Sequence, residues 1–288
     1  MAKQTGGQEK TLKHAVIYNL KILSGLALSV VMPTRKAHME RVATIPWHEQ
    51  SEPDAIDRLI RTALLWQKSR DRSGASLASL HKSFWTQQSA EAYYAGTQSR
   101  FAKTFLPHFD HFLQTYAKHL QQQEIRTLIE IGCGDGQLLR HAKQTLPIDR
   151  AIGLDLSVDQ IEKNNATNTA EGIEYHSGDA RSWIADNAGS NTAYMTGLGV
   201  LEYFTEKQLS LLLGHIAAEK SPALALLIEP IDIHADLTSF NRSYVVGEEH
   251  SFTHNYPRRL IESGWKILDQ KEVLLDDYRW LVVMAQSN

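Results

Sequence analysis

The chain has 288 residues, of which 42% are hydrophobic and 22% are charged, and its formal net charge is −3. This profile is typical of a soluble protein with one large or two small domains. It disfavours nucleic acid as a partner, because domains that bind nucleic acid usually present a basic face. The single cysteine, Cys133, excludes an intrachain disulfide and favours a cytoplasmic location.

Residues 1–76 are predicted to form an N-terminal extension. Apolar residues alternate on both sides of Ser24 and Gly25, which predicts two strands of a hairpin, and a single helix fits almost as well. Asn19 and Lys21 interrupt the apolar run, so we predict no membrane span. The apolar surface must then pack on the rest of the chain or on a second subunit, and the second alternative is a homodimer. A helix is predicted over residues 54–67.

Residues 77–123 are mostly helical by their apolar pattern, and they carry clustered aromatic rings. Such rings in helices are usually core residues. They also suit a site for a cationic group, because ring faces attract positive charge. The candidates in this segment are Phe84, Trp85, Tyr93, Tyr94 and the neighbouring Arg100.

The stretch from Thr127 to Leu139 reads TLIEIGCGDGQLL. An apolar run meets Gly132, Gly134 and Gly136, and an amphipathic run follows, which predicts a buried strand, a tight turn and the start of a helix. The spacing departs from the G-x-G-x-x-G of dinucleotide sites and contains no phosphate-binding G-x-x-x-x-G-K-[ST].

This motif, E-I-G-C-G-D-G from Glu130, resembles the first motif of the class I S-adenosylmethionine (SAM)-dependent methyltransferases, in which a strand ending in an acidic residue precedes G-x-G-x-G. The resemblance covers somewhat more than half of the chain. It implies an α/β, Rossmann-like fold with a seven-stranded, mostly parallel sheet and helices on both faces. It implies SAM as the cofactor, a catalytic domain at 124–288 and a helical lid at 77–123.

The order of the following strands agrees with that family. Strands are predicted at 151–156, 173–176, 192–198 and 223–229, and at 265–273 and 278–285 around a turn at Asp276 and Asp277. Asp155 ends the second strand, where a carboxylate can accept hydrogen bonds from both ribose hydroxyls. It could instead cap the next helix, but Ser157 is better placed as the cap.

The resemblance assigns further cofactor contacts. Asp179 and the backbone of Ala180 match the positions that meet adenine, although Asp179 could instead cap a helix. The loop after the fourth strand faces the acceptor, which makes Glu202 and Tyr203 candidate catalytic residues, with core or cap residues as the alternative. Arg100 could hold a carboxylate of methionine or of the substrate. The predicted cofactor-binding set is Glu130, Gly132, Gly134, Asp155, Leu156, Asp179, Ala180, Leu198 and Arg100.

Histidines cluster after the fifth strand, where the family often lines its acceptor pocket. His254 is a candidate base and His234 a candidate substrate contact, because a neutral histidine can take a proton from an attacking group. Surface histidines are the alternative. His250 and His254 lack a third ligand in any known pattern, so no metal site is predicted.

The predicted function is methyl transfer from SAM to a small molecule in biosynthesis, by direct attack of the acceptor on the sulfonium methyl. Two alternatives stay open. A SAM lyase or cyclase would use SAM as its only substrate and release methylthioadenosine and a cyclic amino acid, as azetidine-2-carboxylate synthases do. A non-catalytic partner subunit would bind SAM without turnover.

Overall fold

The computed structural model describes residues 5–42, 54–86, 88–168, 170–187, 189, 191–218, 222–275 and 278–287. The chain divides into two compact units, residues 1–84 and 85–288. This division falls within the segment predicted as a lid. The predicted turn at Asp276 and Asp277 lies outside the described residues, although the strands on both sides of it pair in register.

The described part of the first unit is helical. It contains α1 (Thr5–Val31), α2 (Pro33–Val42), α3 (Ala55–Ser69) and most of α4 (Ala75–Trp85). No single helix among the described residues is both long and apolar enough to cross a membrane, and the pair 16–31 and 33–42, bent by 117°, satisfies length and composition only when joined.

The hairpin alternative at Ser24 and Gly25 is wrong, because both residues lie inside α1. Gly25 marks a helix crossing instead of a turn. A Cβ atom at this position would lie 2.0 Å from the carbonyl oxygen of Leu59 and 2.8 Å from Cβ of Ala63, both in α3. The missing side chain therefore allows two helix backbones to approach closely.

The second unit opens with α5 (Gln88–Thr97), a π-helical turn (Phe101–Phe105), α6 (Leu106–His108) and α7 (Asp110–Gln122). An α/β region follows, with strands β1 (Thr127–Ile131), β2 (Arg150–Asp155), β3 (Ile173–Ser177), β4 (Thr192–Thr196), β5 (Leu224–Ile231), β6 (Tyr244–Val246), β7 (Ser251–Thr253), β8 (Trp265–Leu275) and β9 (Tyr278–Ser287). Its helices are α8 (Gln137–Thr145), α9 (Val158–Thr167), α10 (Ala180–Asn187), α11 (Glu206–Ala217) and α12 (Tyr256–Glu262).

Seven strands form one sheet in the order β3-β2-β1-β4-β5-β9-β8, and β6 pairs with β7 separately. Strands β1 to β5 are parallel, and β9 runs antiparallel between β5 and β8. The predicted seven-stranded, mostly parallel sheet is therefore confirmed. The strand order reverses at β1 and β4, and ligands of open α/β sheets bind at the carboxyl ends of strands beside such a point.

Alternate residues of the central strands pack on opposite faces of the sheet, as the two-residue period of a strand requires. Leu128 belongs to one buried cluster and Ile129 to the other. Helix α7 completes the first cluster with Phe112, Leu113 and Tyr116. Helix α7 is therefore part of the core, and the lid role of residues 77–123 stays a prediction.

Candidate functional site

The turn between β1 and α8 has the backbone that its glycines predict. Gly132, Gly134 and Gly136 have φ values of +71°, +50° and +71°, which are strained for any residue with a side chain. A Cβ atom on Gly132 would lie 2.6 Å from Cγ1 of Val200. The turn therefore needs glycine both for its backbone angles and for its close neighbours.

Asp155 lies at the carboxyl end of β2, directly beside this turn. Its Oδ2 accepts a hydrogen bond of 2.9 Å from the backbone N–H of Gly134, and its Oδ1 accepts one of 2.9 Å from the N–H of Ser157. The hydroxyl of Tyr94 lies 3.2 and 3.1 Å from the two oxygens. Burial raises the pKa of Asp155, against these hydrogen bonds, which lower it. Ser157 is the cap of α9, as predicted.

Glu130, at the end of β1, is only 2% exposed. Its Oε2 has no hydrogen-bond partner among the described residues. Burial, followed by the negative charges of Asp135 and Asp155, raises the pKa of Glu130 well above its usual range. A buried carboxyl oxygen without a partner costs free energy, and a ligand that donated a hydrogen bond to it would remove this cost.

The predicted adenine contacts lie after β3. Asp179 precedes α10, and its carboxylate pairs with the guanidinium of Arg181 at 2.5 Å. Ala180, the first residue of α10, is buried. Leu156, after β2, is partly buried. The adenine contact of Asp179 and Ala180 stays a prediction, as do the cofactor contacts of Leu156.

The loop after β4 holds an unusual backbone. Leu198 has a φ of +61°, which is rare for a residue with a side chain, and Gly199 follows at +89°. Such strain concentrates at functional sites. The next two N–H groups, of Val200 and Leu201, donate to Oε2 of Glu229 at 2.9 and 3.0 Å. A carboxylate from β5 therefore holds the loop that carries the candidate catalytic residues.

Glu229 was not singled out from the sequence. It follows the apolar run of β5 and is fully buried. Burial raises its pKa to about 7. Its position in the sequence could have identified it as a site residue, because an acidic residue that ends a buried parallel strand lies at the ligand-binding edge of the sheet.

Glu202 and Tyr203 lie in the 3₁₀ turn Leu201–Tyr203 and meet a second acidic residue, Glu249. The hydroxyl of Tyr203 donates to Oε2 of Glu249 at 3.0 Å. Burial and the negative charge of Glu249 raise the pKa of Glu202 to about 8, and Arg100 opposes this rise. Carboxyl groups that repel each other in a buried site hold a proton up to neutral pH or above.

Tyr203 is one of four aromatic rings that lie close together. The ring of Trp85 lies 5.1, 5.9 and 5.4 Å from the rings of Tyr93, Tyr94 and Tyr203, between centroids. The guanidinium of Arg100 donates to the hydroxyl of Tyr93 at 2.5 Å. The structure therefore brings Trp85, Tyr93, Tyr94, Arg100 and Tyr203, which are predicted from distant parts of the chain, into one cluster. Phe84 is buried and is the last residue of the first unit.

The structure does not support the prediction that His254 is a base. His254 is fully buried, its Nδ1 lies 2.6 Å from the hydroxyl of Ser243, and its Nε2 lies 3.0 Å from the carbonyl oxygen of Phe204. Burial lowers its pKa to about 4, so it stays neutral and positions two loops. His234 is exposed in the loop after β5, and its contact with substrate stays a prediction.

Cys133 is buried inside the glycine turn, and burial raises the pKa of its thiol well above the usual range. This agrees with a small packing residue and not with a nucleophile. Among the described residues, no group of three histidine, cysteine, aspartate or glutamate side chains could hold a metal ion.

A family model described as a methyltransferase domain matches residues 128–219. Solved structures similar to this chain include magnesium protoporphyrin IX methyltransferase from Synechocystis PCC 6803 with bound S-adenosylhomocysteine (SAH), at 15% identity over 62% of this chain and 83% of that chain, with a TM-score of 0.44. A SAM-dependent methyltransferase from Mesorhizobium loti is 19% identical over 60% of this chain and 99% of that chain, with a TM-score of 0.45.

A third similar structure is 1,6-didemethyltoxoflavin-N1-methyltransferase from Burkholderia thailandensis, at 14% identity over 69% of this chain and 90% of that chain, with a TM-score of 0.45. That structure contains 1,6-didemethyltoxoflavin and SAH. A comparison with curated proteins found no match to this chain.

Proposed function

We propose that this chain, whose residues 128–219 match a methyltransferase domain, is a class I SAM-dependent methyltransferase that transfers the methyl group of SAM to a small molecule. One observation carries the proposal. Three features lie together where the strand order reverses between β1 and β4: the glycine turn after β1, the buried carboxyl of Glu130 and the carboxylate of Asp155. This is the edge at which open α/β sheets bind nucleotides.

The residues at this edge fit SAM, which is the cofactor of this domain. The unpartnered Oε2 of Glu130 can accept a hydrogen bond from the ammonium group of the methionine part. Asp155 can accept bonds from the ribose hydroxyls. Asp179 and Ala180 would meet adenine.

The cluster of Trp85, Tyr93, Glu202, Tyr203 and Glu249 is proposed to hold the acceptor. SAM bound at this edge would supply an activated methyl group for attack by the lone pair of the acceptor, and SAH would be the leaving group. Glu202 in its ionised form receives the proton that the acceptor loses, and because its pKa is about 8 this form increases as the pH rises through 8. Tyr203 and Glu249 position Glu202, and the aromatic rings exclude water.

The experiment begins with the purified protein and SAM alone, and all products are identified by mass spectrometry. Fractionated metabolite extracts are then added, and SAH is measured, with Asp155→Ala as the control that should lose the activity. We expect SAM to stay intact at first and SAH to form only with certain fractions. Methylthioadenosine and a new amino acid in the first step would identify a SAM lyase or cyclase. Tight binding without turnover in any fraction would identify a non-catalytic subunit.

The N-terminal extension is proposed to form a homodimer. Helix α1 exposes large apolar side chains, including Leu20, Leu23, Val30 and Val31 at 58%, 63%, 80% and 71% exposure. Contiguous exposed apolar surface of this kind is typical of an interface. Light scattering on the full chain, with Leu23→Lys for comparison, tests this: a dimer that becomes a monomer is expected. The cytoplasmic location stays a prediction.

A further inference from the structure

Asp155 already accepts hydrogen bonds from three donors of the protein itself. An ionised carboxylate offers about four acceptor positions. The N–H groups of Gly134 and Ser157 take one position on each oxygen. The hydroxyl of Tyr94 lies 3.2 Å from one oxygen and 3.1 Å from the other, so its single O–H is shared between the two remaining positions.

A ribose ring would need those same two positions. Its neighbouring hydroxyl groups bridge both oxygens of a carboxylate at the end of the second strand. The hydroxyl of Tyr94 bridges both oxygens of Asp155 in the same way, from a helix that lies 61 residues earlier in the chain. The two donors cannot occupy the carboxylate together.

The ring of Tyr94 also covers the glycine turn. A Cβ atom on Gly134 would lie 2.9 Å from Cε1 of Tyr94 and 3.3 Å from its Cδ1. The side of Gly134 that its missing side chain leaves open is therefore filled by the tyrosine ring. This contact is independent of the hydrogen bond to Asp155 and blocks the same part of the site.

We propose that Tyr94 gates the cofactor site, by competing with the ribose of SAM for both oxygens of Asp155. The inference rests on the proposed function, since it takes SAM as the ligand. Asp155 is satisfied in both states, because the ribose hydroxyls replace the hydrogen bond that Tyr94 gives up. The exchange therefore avoids the cost of a buried carboxylate without a partner.

Tyr94 lies on a short helix whose neighbours would be affected when Tyr94 moves away from Asp155. Tyr94 belongs to α5, which packs against α9, the helix that Ser157 caps. The ring of Tyr94 lies 5.9 Å from that of Tyr93 and 5.9 Å from that of Trp85. Movement of Tyr94 away from Asp155 therefore alters the surroundings of Trp85 and so its fluorescence.

The gate predicts that cofactor binding becomes tighter when the hydroxyl is removed. Tyr94→Phe keeps the ring and deletes only the hydrogen bond that the ribose must displace. A net hydrogen bond of ordinary strength corresponds to a change of about fivefold, so the Kd of SAH, measured by titration calorimetry, should fall about fivefold. Stopped-flow tryptophan fluorescence should show faster association.

The matched control is Tyr244→Phe, in β6. It removes a hydroxyl that donates to Asp232 at 2.9 Å, so SAH binding should not tighten. Equal or weaker binding by Tyr94→Phe, while the unaltered protein binds SAH, would overturn the gate alone. Absence of SAH binding by all three proteins would overturn the proposed function, and the gate with it.

Discussion

The hydroxyl of Tyr203 donates a hydrogen bond of 3.0 Å to Oε2 of Glu249, across 46 residues of sequence. Burial, followed by the negative charges of Glu202 and Glu249, raises the pKa of Tyr203 well above its usual range, so this hydroxyl keeps its proton and acts as a donor. The bond fixes Glu249 beside Glu202 in the proposed acceptor site.

We expect Tyr203→Phe to lower the rate of SAH formation about 10-fold once an acceptor is known, because Glu249 loses the donor that positions it. The measurement is kcat and KM by SAH release. Tyr244→Phe is the matched control, because the hydroxyl of Tyr244 donates to Asp232 at 2.9 Å, outside the cluster. Its activity should stay within about twofold. Equal losses in both variants would contradict a specific role for Tyr203.

The raised pKa of Glu202 predicts how stability depends on pH. Its pKa is about 8 in the folded protein, against 4.5 ordinarily, so the folded state binds a proton that the unfolded state releases between these values. Stability from this group is complete below about pH 4.5 and is lost as the pH rises to about 8. We expect the free energy of unfolding to decrease over this range. In Glu202→Gln it should decrease less steeply.

The measurement is urea unfolding at several pH values from 5 to 8. Glu171→Gln, which removes an exposed carboxylate, serves as the control and should follow the unaltered protein. If the free energy of unfolding of Glu202→Gln changes with pH as steeply as that of the unaltered protein and of Glu171→Gln, Glu202 ionises as freely in the folded chain as in the unfolded one.

Gly132→Ala should destabilise the glycine turn. The substitution places a side chain at a φ of +71° and a Cβ atom 2.6 Å from Cγ1 of Val200. We expect a loss of about 1–3 kcal/mol in the free energy of unfolding, together with weaker SAH binding. Thermal and urea unfolding measure the first effect, and calorimetry measures the second.

Gly214→Ala is the matched control for this change. Gly214 lies inside α11, where a Cβ atom would meet nothing within 4 Å. Alanine should therefore stabilise the helix by about 0.5–1 kcal/mol. Opposite signs for the two variants would support the assignment, whereas destabilisation by both would refute it.

Gly25→Ala should disturb the first unit without touching the cofactor site. The added Cβ atom would lie 2.0 Å from the carbonyl oxygen of Leu59, so α1 and α3 must separate. We expect a loss of about 1–3 kcal/mol in stability, as for other overpacked sites. The measurement is hydrogen exchange of the backbone amides in α1 and α3. Unchanged protection of these amides would contradict a close contact between the two helices at Gly25.

The sequence alone was enough to predict the cofactor half of the domain. The glycine turn, the strands from β1 to β5 and the cap of α9 depend on residues that lie close together in the chain. Backbone sterics and apolar periodicity act over such short distances, so their effects can be recognised without a structure. The sequence left the hairpin and the helix nearly equal at Gly25, because a glycine at a helix crossing and a glycine in a turn look alike.

The tertiary structure alone decided how the distant groups meet. The structure adds Glu229 and Glu249 to the candidate site, and it shows that both ring nitrogens of His254 are already bonded within the protein. Burial and partners from other elements determine what a titratable side chain can do. The bond from Tyr94 to Asp155 likewise joins residues that no local pattern connects. The sequence was enough to predict the cofactor and the order of the sheet, since these depend on local backbone geometry. Long-range packing determined which carboxyl groups lie in the proposed acceptor site.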